Sequence, residues 1–557
     1  MPARKIPKAE PPPLDWLDAD TVERVRAALR ARPFLKERAG AIELVQTHIS
    51  SVYLTPKYVF KFKRPLDVGF ADFRALRDRL RFCRAELRLN RRLAPAVYLD
   101  VAALRAVDGG YSLGPRGRVV DYAVVMRRLP AQRMLNARLL AGTVRPGEIA
   151  ALADVLAGFH RRLRPDPRHA HYGDLETWTR NWEENFAQTR PAIGAVLSAA
   201  VHRGLHGAVF AFMERYGPLF DARVRGGWVR NGHGDLRCEH ILLARPPRVI
   251  DCVEFAERFR HGDVANDVAF LLMDLCAFGY PGLAARLLAR YQERLGDRAA
   301  LPLIPFYCCY RAYVRGKVLG MRLQDRNLPP AARRAVEERA RAFFALAAAF
   351  ARQMGPPVLL LVGGLMGTGK SHLAQALAAR TGLPVLASDR IRKELAAGPG
   401  GAVRDRSGFA GGIYTPEWTE RTYAALFGAA RGALAEGAGA ILDATFARRE
   451  HRERAFALAR EAGAEPFLVE CAAPDDLTLA RLRARERAGT SLSDGRAELY
   501  PRQKAAFEPI AELPPGRRLI APTERPVEAL AAAVLAAPGL RIPEPLFNLP
   551  PGSASKG

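Results

Sequence analysis

Cysteine is scarce in this chain. Seven are scattered through 557 residues, with no C-x-x-C pair and one adjacent couple, Cys308–Cys309. That pattern supplies neither a disulfide framework nor a zinc site, and it reads as a chain of a reducing compartment, the cytoplasm. Long apolar runs are missing as well. No stretch of about 18 uncharged apolar residues is present, which excludes a transmembrane helix. The opening MPARKIPKAEPPPLDWLD has basic residues but no apolar segment behind them, so it is not a secretory signal. No internal repeat is visible. Acidic residues are in deficit, 58 Asp+Glu against 85 Lys+Arg, for a formal net charge of +27. The excess is mostly arginine and is spread along the chain, as a biased composition would make it. A nucleic-acid or acidic partner is the sharper alternative.

What is present is enough chain for two to four cores, at roughly 100–200 residues per domain. Residues 1–19 are Pro- and Lys-rich at their start and read as disordered. DADTVERVRAALRAR then opens an amphipathic helix behind aspartate caps. SSVYLTPKYVFKFKRP reads as two short strands around a Thr-Pro turn, and DYAVVMRRLP as another strand. Between the two lies a long helical pattern, FRALRDRLRFCRAELRLNRRL. From 131 to about 350 helices dominate, broken by the strand pair in ILLARPPRVIDCVEF. After QMGPP a fresh strand begins and strand–helix alternation runs to about 535, which argues for a parallel sheet with helices on both faces. The division expected is a domain over 20–350, with a small lobe to about 130, a second domain over 356–537, and a loose tail over 538–557.

The second domain opens on LLLVGGLMGTGKSHLAQAL, an apolar strand, a G-x4-G-K-S loop and a helix. Glycines at 364, 367 and 369, with Thr368, let backbone amides point at phosphate oxygens, and the helix N-terminus adds partial positive charge. Lys370 would reach the β- and γ-phosphates and Ser371 would ligate Mg²⁺. Downstream, the strand PVLA ends in Ser388–Asp389. Asp389 is either the base for an acceptor hydroxyl or a helix cap, and Arg392 would steady the acceptor. Asp443 ends the strand GAILD, suited to holding Mg²⁺ through water or simply a turn carboxylate. Arg481 and Arg485 share a helix face by i,i+4 spacing, as a phosphate-clamping lid or a solvated helix.

These residues resemble the small P-loop kinases that include gluconate kinase, the kinase half of polynucleotide kinase and zeta-toxin-like proteins. The resemblance covers residues 358–500 and rests on GTGKS, on Asp389 with Arg392, on DATF, and on the Arg-rich segment followed by Ser493–Asp494. It implies Mg·ATP-dependent transfer of a phosphoryl group to a hydroxyl. GGIYTPEWTERTY, with Tyr414, Arg421 and Tyr423, lies where such kinases bind the acceptor.

The first domain carries HGDLRCEH at 233–240. Phosphoryl transfer needs a carboxylate near the acceptor, metal ligands and a cation on the phosphates. Asp235 offers the first and Asp251, in VIDCVEF, the second. Lys61 and Lys63 alternate on one face of YVFKFK, so one of them, Lys61 by preference, would meet the phosphates with Glu86 orienting it. Over residues 40–320 this resembles the aminoglycoside phosphotransferase-like branch of the protein-kinase-like fold, whose hinge would be VVMRRL at 124–129. The family usually has Asn where His240 stands, and imidazole is a poorer ligand for hard Mg²⁺. His240 is thus either an altered metal ligand or a bystander.

The order of the halves is similar to that of the bacterial bifunctional aminoglycoside phosphotransferase/ATP-binding protein family. The expected fold is two-domain: an N-terminal α+β, bilobal protein-kinase-like domain and a C-terminal α/β P-loop NTPase with a parallel sheet. The implied function is an ATP- and Mg²⁺-dependent kinase of a hydroxylated small molecule. The P-loop site would be catalytic and the first domain a second kinase or a substrate selector. A nucleotide-binding regulator with a pseudokinase-like first domain is one alternative. Nucleic-acid end phosphorylation is another, for which no basic track interleaved with aromatics is seen.

Overall fold

A computed structural model describes residues 14–16, 18–30, 42–47, 49–69, 71–325, 328–397, 412–435, 439–488, 496–514, 516–543 and 546–547. It divides into two compact units, one formed by 1–296, 307–348 and 549–557, the other by 297–306 and 349–548.

In the first unit, strands β1 (Glu43–Gln46), β2 (Ser50–Leu54), β3 (Tyr58–Lys63), β4 (Tyr98–Val107), β5 (Gly110–Ser112) and β6 (Arg118–Arg127) form one sheet. Its order is β1-β2-β3-β6-β4-β5, with antiparallel neighbours. The alternation in YVFKFK works as a strand must. Phe60 and Phe62 face a core with Tyr53, Leu104 and Val125, while Lys61 and Lys63 point to the opposite side. On that side lies the helix Leu76–Asn90, packed against β6 and β4.

A helical region follows, threaded by two small antiparallel ribbons. One pairs β7 (Val229–Asn231) with β10 (His261–Asp263), the other β8 (Ile241–Leu242) with β9 (Arg248–Val249). The helix Val264–Ala277 is buried through almost its whole length, including the carboxylates of Asp267 and Asp274. Buried charges are tolerated only when they are satisfied, and both of these hold backbone amides of the HGDLRCEH segment, Asp267 those of His233 and Gly234 and Asp274 that of Cys238.

In the second unit β11 (Val358–Gly363), β12 (Val385–Ala387), β13 (Ala440–Asp443), β14 (Glu465–Ala472) and β15 (Arg518–Pro522) pair in parallel, in the order β12-β13-β11-β14-β15. β11 is buried on both faces and reads accordingly as an unbroken apolar run, with Leu359 and Leu361 in one core and Leu360 and Val362 in the other.

Two expectations need correction. Within 1–19, Trp16 is buried and packs 4.7 Å from the Phe62 ring and 6.1 Å from Tyr53. Within 538–557, Leu540 and Phe547 are buried, and the Phe547 amide donates to Gln353 Oε1 at 3.4 Å. In both cases a large apolar side chain outweighs the Pro-rich composition around it. The seven cysteines are all buried and free of disulfides. Among the described residues no helix is long and apolar enough to cross a membrane.

Trp16→Ala should destabilise the first unit by about 3–5 kcal/mol, as loss of a fully buried aromatic does. Urea unfolding checks this, and a change below about 1 kcal/mol would return Trp16 to a loose terminus.

Candidate functional site

The second unit gathers its candidate residues at the C-terminal ends of its strands. The phosphate loop runs from the end of β11 into the helix Lys370–Thr381. Gly364, Gly367 and Gly369 have φ of +132°, +77° and +85°, values that side chains rarely adopt. A Cβ at Gly364 would lie 2.4 Å from the Cys471 carbonyl, and one at Gly367 would lie 2.9 Å from Leu482. Lys370 Nζ donates to the Leu365 carbonyl at 2.8 Å, and Thr368 Oγ1 donates to the same oxygen at 2.7 Å. Burial pulls the Lys370 ammonium below its ordinary value, with Asp443 and Asp389 opposing.

Register places Asp443 opposite Val362 of β11 and Ala387 of β12, so its carboxylate stands between the loop and the start of the helix Ser388–Ala397. Burial raises its carboxyl, and Lys370 and a hydrogen bond from Ser371 act against that. Asp389 is in the first turn of the 388–397 helix. Arg392 is buried. Its Nη1 donates to the Ile413 carbonyl at 2.8 Å, its guanidinium lies 4.8 Å from the Tyr414 ring, and its Nε has no hydrogen-bond partner among the described residues. It thus holds the 412–419 segment in place rather than standing open to an acceptor. Tyr423 is also buried, its hydroxyl accepting from the Phe446 amide at 3.0 Å, while Arg421 covers Trp418.

Arg481 and Arg485 lie on the helix Asp475–Ala488, which packs Thr478 and Leu482 against Gly367. Arg481 donates to Thr523, at 2.7 Å to its carbonyl and 3.1 Å to its hydroxyl, beside Gly369. Arg485 is near enough to act on the charge of Lys370. Ser493 and Asp494 lie outside the described residues. Sequence reasoning missed Gln503, whose Oε1 accepts the Met366 amide at 2.7 Å and so braces the loop. Nothing local in RQKAAF signals it.

In the first unit Glu86, fully buried, lies between the two lysines, 3.0 Å from Lys61 Nζ and 2.5 Å from Lys63 Nζ. Lys61 also reaches Asp251 Oδ1 at 2.7 Å, and Lys63 pairs with Glu254. Burial would lower the Lys61 ammonium, but Asp251 and Glu86 hold it well above its ordinary value. Asp251 takes the left-handed conformation, φ +63°, and its amide donates to the Tyr98 hydroxyl at 3.1 Å. Burial would raise its carboxyl, and Lys61 and His240 hold it far below the usual carboxylate range.

Asp235 follows Gly234, whose φ of +85° and approach to the Phe259 carbonyl leave no room for a Cβ. Both Asp235 oxygens accept from Arg237, at 2.7 and 2.9 Å. Burial acts to raise this carboxyl; His240 and Arg237 outweigh it and leave it lowered. His240 Nδ1 donates to the Asp235 carbonyl at 2.9 Å, and its Nε2 lies 3.2 Å from Arg237 Nη2 and 3.5 Å from Asp251 Oδ2. His240 therefore belongs to the carboxylate cluster. The segment is pinned from below by Asp267, which accepts the His233 and Gly234 amides at 2.7 and 2.8 Å and meets His160 Nε2 at 3.1 Å. Arg237 and Asp267 carry much of this geometry, and sequence reasoning assigned neither.

Which groups fit is decided by these donors. Three left-handed glycines around a buried ammonium suit a polyphosphate, and Ser371 with Asp443 offers the oxygens that Mg²⁺ prefers. Asp251 with His240 offers one oxygen and one nitrogen, a mixed set that fits Mg²⁺ less well.

Comparison with known proteins agrees with this division. A model of the phosphotransferase enzyme family matches residues 50–303, and a model described as an AAA domain matches 359–510. Uncharacterized proteins of Mycobacterium tuberculosis and Mycobacterium bovis are each 34% identical over 460 residues, spanning 82% of this chain and 88% of theirs. Among solved structures, a choline/ethanolamine kinase family protein from Mesorhizobium loti is 16% identical, covers 60% of this chain and 100% of its own, and has a TM-score of 0.37. A gluconokinase from Sinorhizobium meliloti 1021 is 17% identical, covers 32% of this chain and 90% of its own, and has a TM-score of 0.24.

The Asp267 carboxyl is worth a direct measurement. Burial would raise it, but His160, His233 and the backbone amides hold it well below the usual range. A depressed carboxyl stabilises the fold above its unfolded value of about 4, and that contribution is lost as pH falls. Asp267→Asn should destabilise the first unit by about 1.5–3 kcal/mol at neutral pH and flatten its acid unfolding below about pH 5. An acid-unfolding curve of unchanged steepness would remove Asp267 from this role.

Proposed function

Because the chain belongs to the same family as these mycobacterial proteins, with a phosphotransferase domain ahead of a P-loop kinase domain, we propose that it uses ATP and Mg²⁺ to phosphorylate a hydroxyl of a small molecule, chiefly at the P-loop site. The observation that carries this reading is the convergence of Lys370, Ser371, Asp443 and Asp389 around three left-handed glycines. A loop that only bound nucleotide would need no carboxylate such as Asp389 beside the phosphate-binding lysine.

The roles follow from placement. The loop amides and Lys370, released from the Leu365 carbonyl, take the phosphates. Ser371 and Asp443 would hold Mg²⁺, which when bound spreads the charge of the β- and γ-phosphates. Asp389 accepts the proton of the acceptor hydroxyl as the oxygen attacks. Arg481 and Arg485 supply positive charge over the loop.

The first unit supports a second reading in parallel. The pairing of Lys61 with Glu86 and Asp251, and the electrostatic link between Asp251 and Asp235, support reading this unit as a second kinase whose metal set would be altered by His240.

Transfer from γ-labelled ATP to a panel of sugars, sugar acids, aminoglycosides, nucleosides and 5′-hydroxyl oligonucleotides tests both. Lys370→Ala and Asp389→Ala should each lower P-loop turnover by about 10²–10³-fold. Full turnover in both variants would sink the first reading, and labelled product that disappears only in Asp235→Ala would move the chemistry to the first unit.

A further inference from the structure

We infer that the acceptor site around Asp235 is built for a hydroxylated molecule that also carries an anionic group, a carboxylate or a phosphate, met by Arg237, Arg311 and Arg315. The inference rests on the reading of Asp235 as the acceptor base.

Arg237 bonds that carboxylate, Arg311 bonds the carbonyl beside it, and Arg315 is near enough to feel its charge, while the nearby acids are already engaged. Arg311 and Arg315 stand one turn apart on the helix Ile304–Arg322. Arg311 donates to two neutral oxygens, Asn266 Oδ1 at 3.0 Å and the Gly234 carbonyl, next to Asp235, at 3.4 Å. Arg315 lies 5.5 Å from the Phe343 ring, and its Nε is buried without a hydrogen-bond partner among the described residues. Neither arginine is ion-paired among the described residues. Burial, and then the charge of Arg237, bring the Arg315 guanidinium down to about 10.

On the acid side, Asp267 accepts two amides and meets His160, and Asp274 Oδ2 accepts the Cys238 amide at 2.8 Å. Glu239 is drawn to Arg237. A cationic acceptor such as an aminoglycoside would meet the like charge of these guanidiniums here. An anionic one satisfies the orphaned guanidinium.

The same arrangement gives the anion a second effect. In the present structure both Asp235 oxygens are occupied by Arg237. An anionic group that draws the Arg237 guanidinium to itself frees the carboxylate for the hydroxyl. The hydroxyl proton then passes to Asp235, its oxygen forms a bond to the γ-phosphorus of ATP, and the bond from that phosphorus to the bridging oxygen breaks with ADP keeping the electron pair. Arg237 thus makes the base available only when an acceptor of the right charge is present.

The test uses the full chain with Lys370→Ala, so that the other unit's phosphate loop is weakened. Titration calorimetry at fixed ionic strength measures inorganic phosphate and, as a cationic control, choline. Phosphate should bind, Arg311→Gln and Arg315→Gln should each weaken it by about tenfold or more, and Arg315→Lys should retain most of the affinity, which separates charge from misfolding. Phosphate affinity unchanged in both glutamine variants, or choline bound in preference, would overturn the inference. In the same background, transfer from γ-labelled ATP is compared for glucosamine, glucose, gluconate and glucose 6-phosphate, with and without Asp235→Ala. Asp235-dependent transfer that favours glucosamine overturns the anionic acceptor and leaves the kinase reading standing. Arginine-dependent phosphate binding without Asp235-dependent transfer keeps the anion site and removes the kinase reading.

Discussion

A carboxylate with no solvent exposure, Glu86, joins the parts of the first unit that have to act together. It belongs to the helix Leu76–Asn90, pairs with Lys61 and Lys63 of β3, and through them reaches Asp251 and Glu254 on the far side of the chain. A charge taken out of water is costly unless partners of opposite sign are fixed around it. Glu86 can therefore be ionised only while the strand, the helix and the 251–254 loop keep their places. Removing one member would leave its neighbours as buried, uncompensated charges. The ion cluster thus selects one arrangement of sheet and loop, and that arrangement puts Lys61 beside Asp251.

The second unit solves the same problem with backbone. Its phosphate loop has few side chains to place. Glycine conformation, the Cys471 carbonyl packed under Gly364, and Gln503 on the Met366 amide fix the curvature. Lys370 bonds to the loop's own carbonyl. The two halves thus prepare for phosphate in different ways. One holds its lysine in a carboxylate cage, and the other holds its lysine against a neutral oxygen that competes far less with an incoming anion.

Much of this was legible in the sequence, and the exceptions have physical reasons. The phosphate loop is local: strand, glycines, lysine and helix are contiguous, so one stretch of chain contains the whole device. Lys61 and Lys63 were readable because a strand alternates, and the aspartates because they end apolar strands. The β4–β5 hairpin went unread although Asp108-Gly109 between Val107 and Gly110 is a strong turn signal. Asp267 was not legible, because its role depends on His160 lying 107 residues away and on amides 33 and 34 residues away. Arg237 and Gln503 are ordinary polar residues in an Arg-rich chain, and only folding shows which oxygen or amide each one takes. Trp16 was averaged away by its proline- and lysine-rich neighbours.

The buried cysteines give the molecule an internal set of clocks. All seven thiols are inside, so a thiol reagent can reach one only when the surrounding structure opens. Six fall in the first unit, and Cys471 alone falls in the second, on the strand whose carbonyl supports Gly364. The modification rate at Cys471 is then a private record of how often the sheet beneath the phosphate loop opens. Cys252, one residue past Asp251, records the same for the 251–254 loop of the first unit, so breathing at the two candidate sites can be timed separately in one unmodified chain.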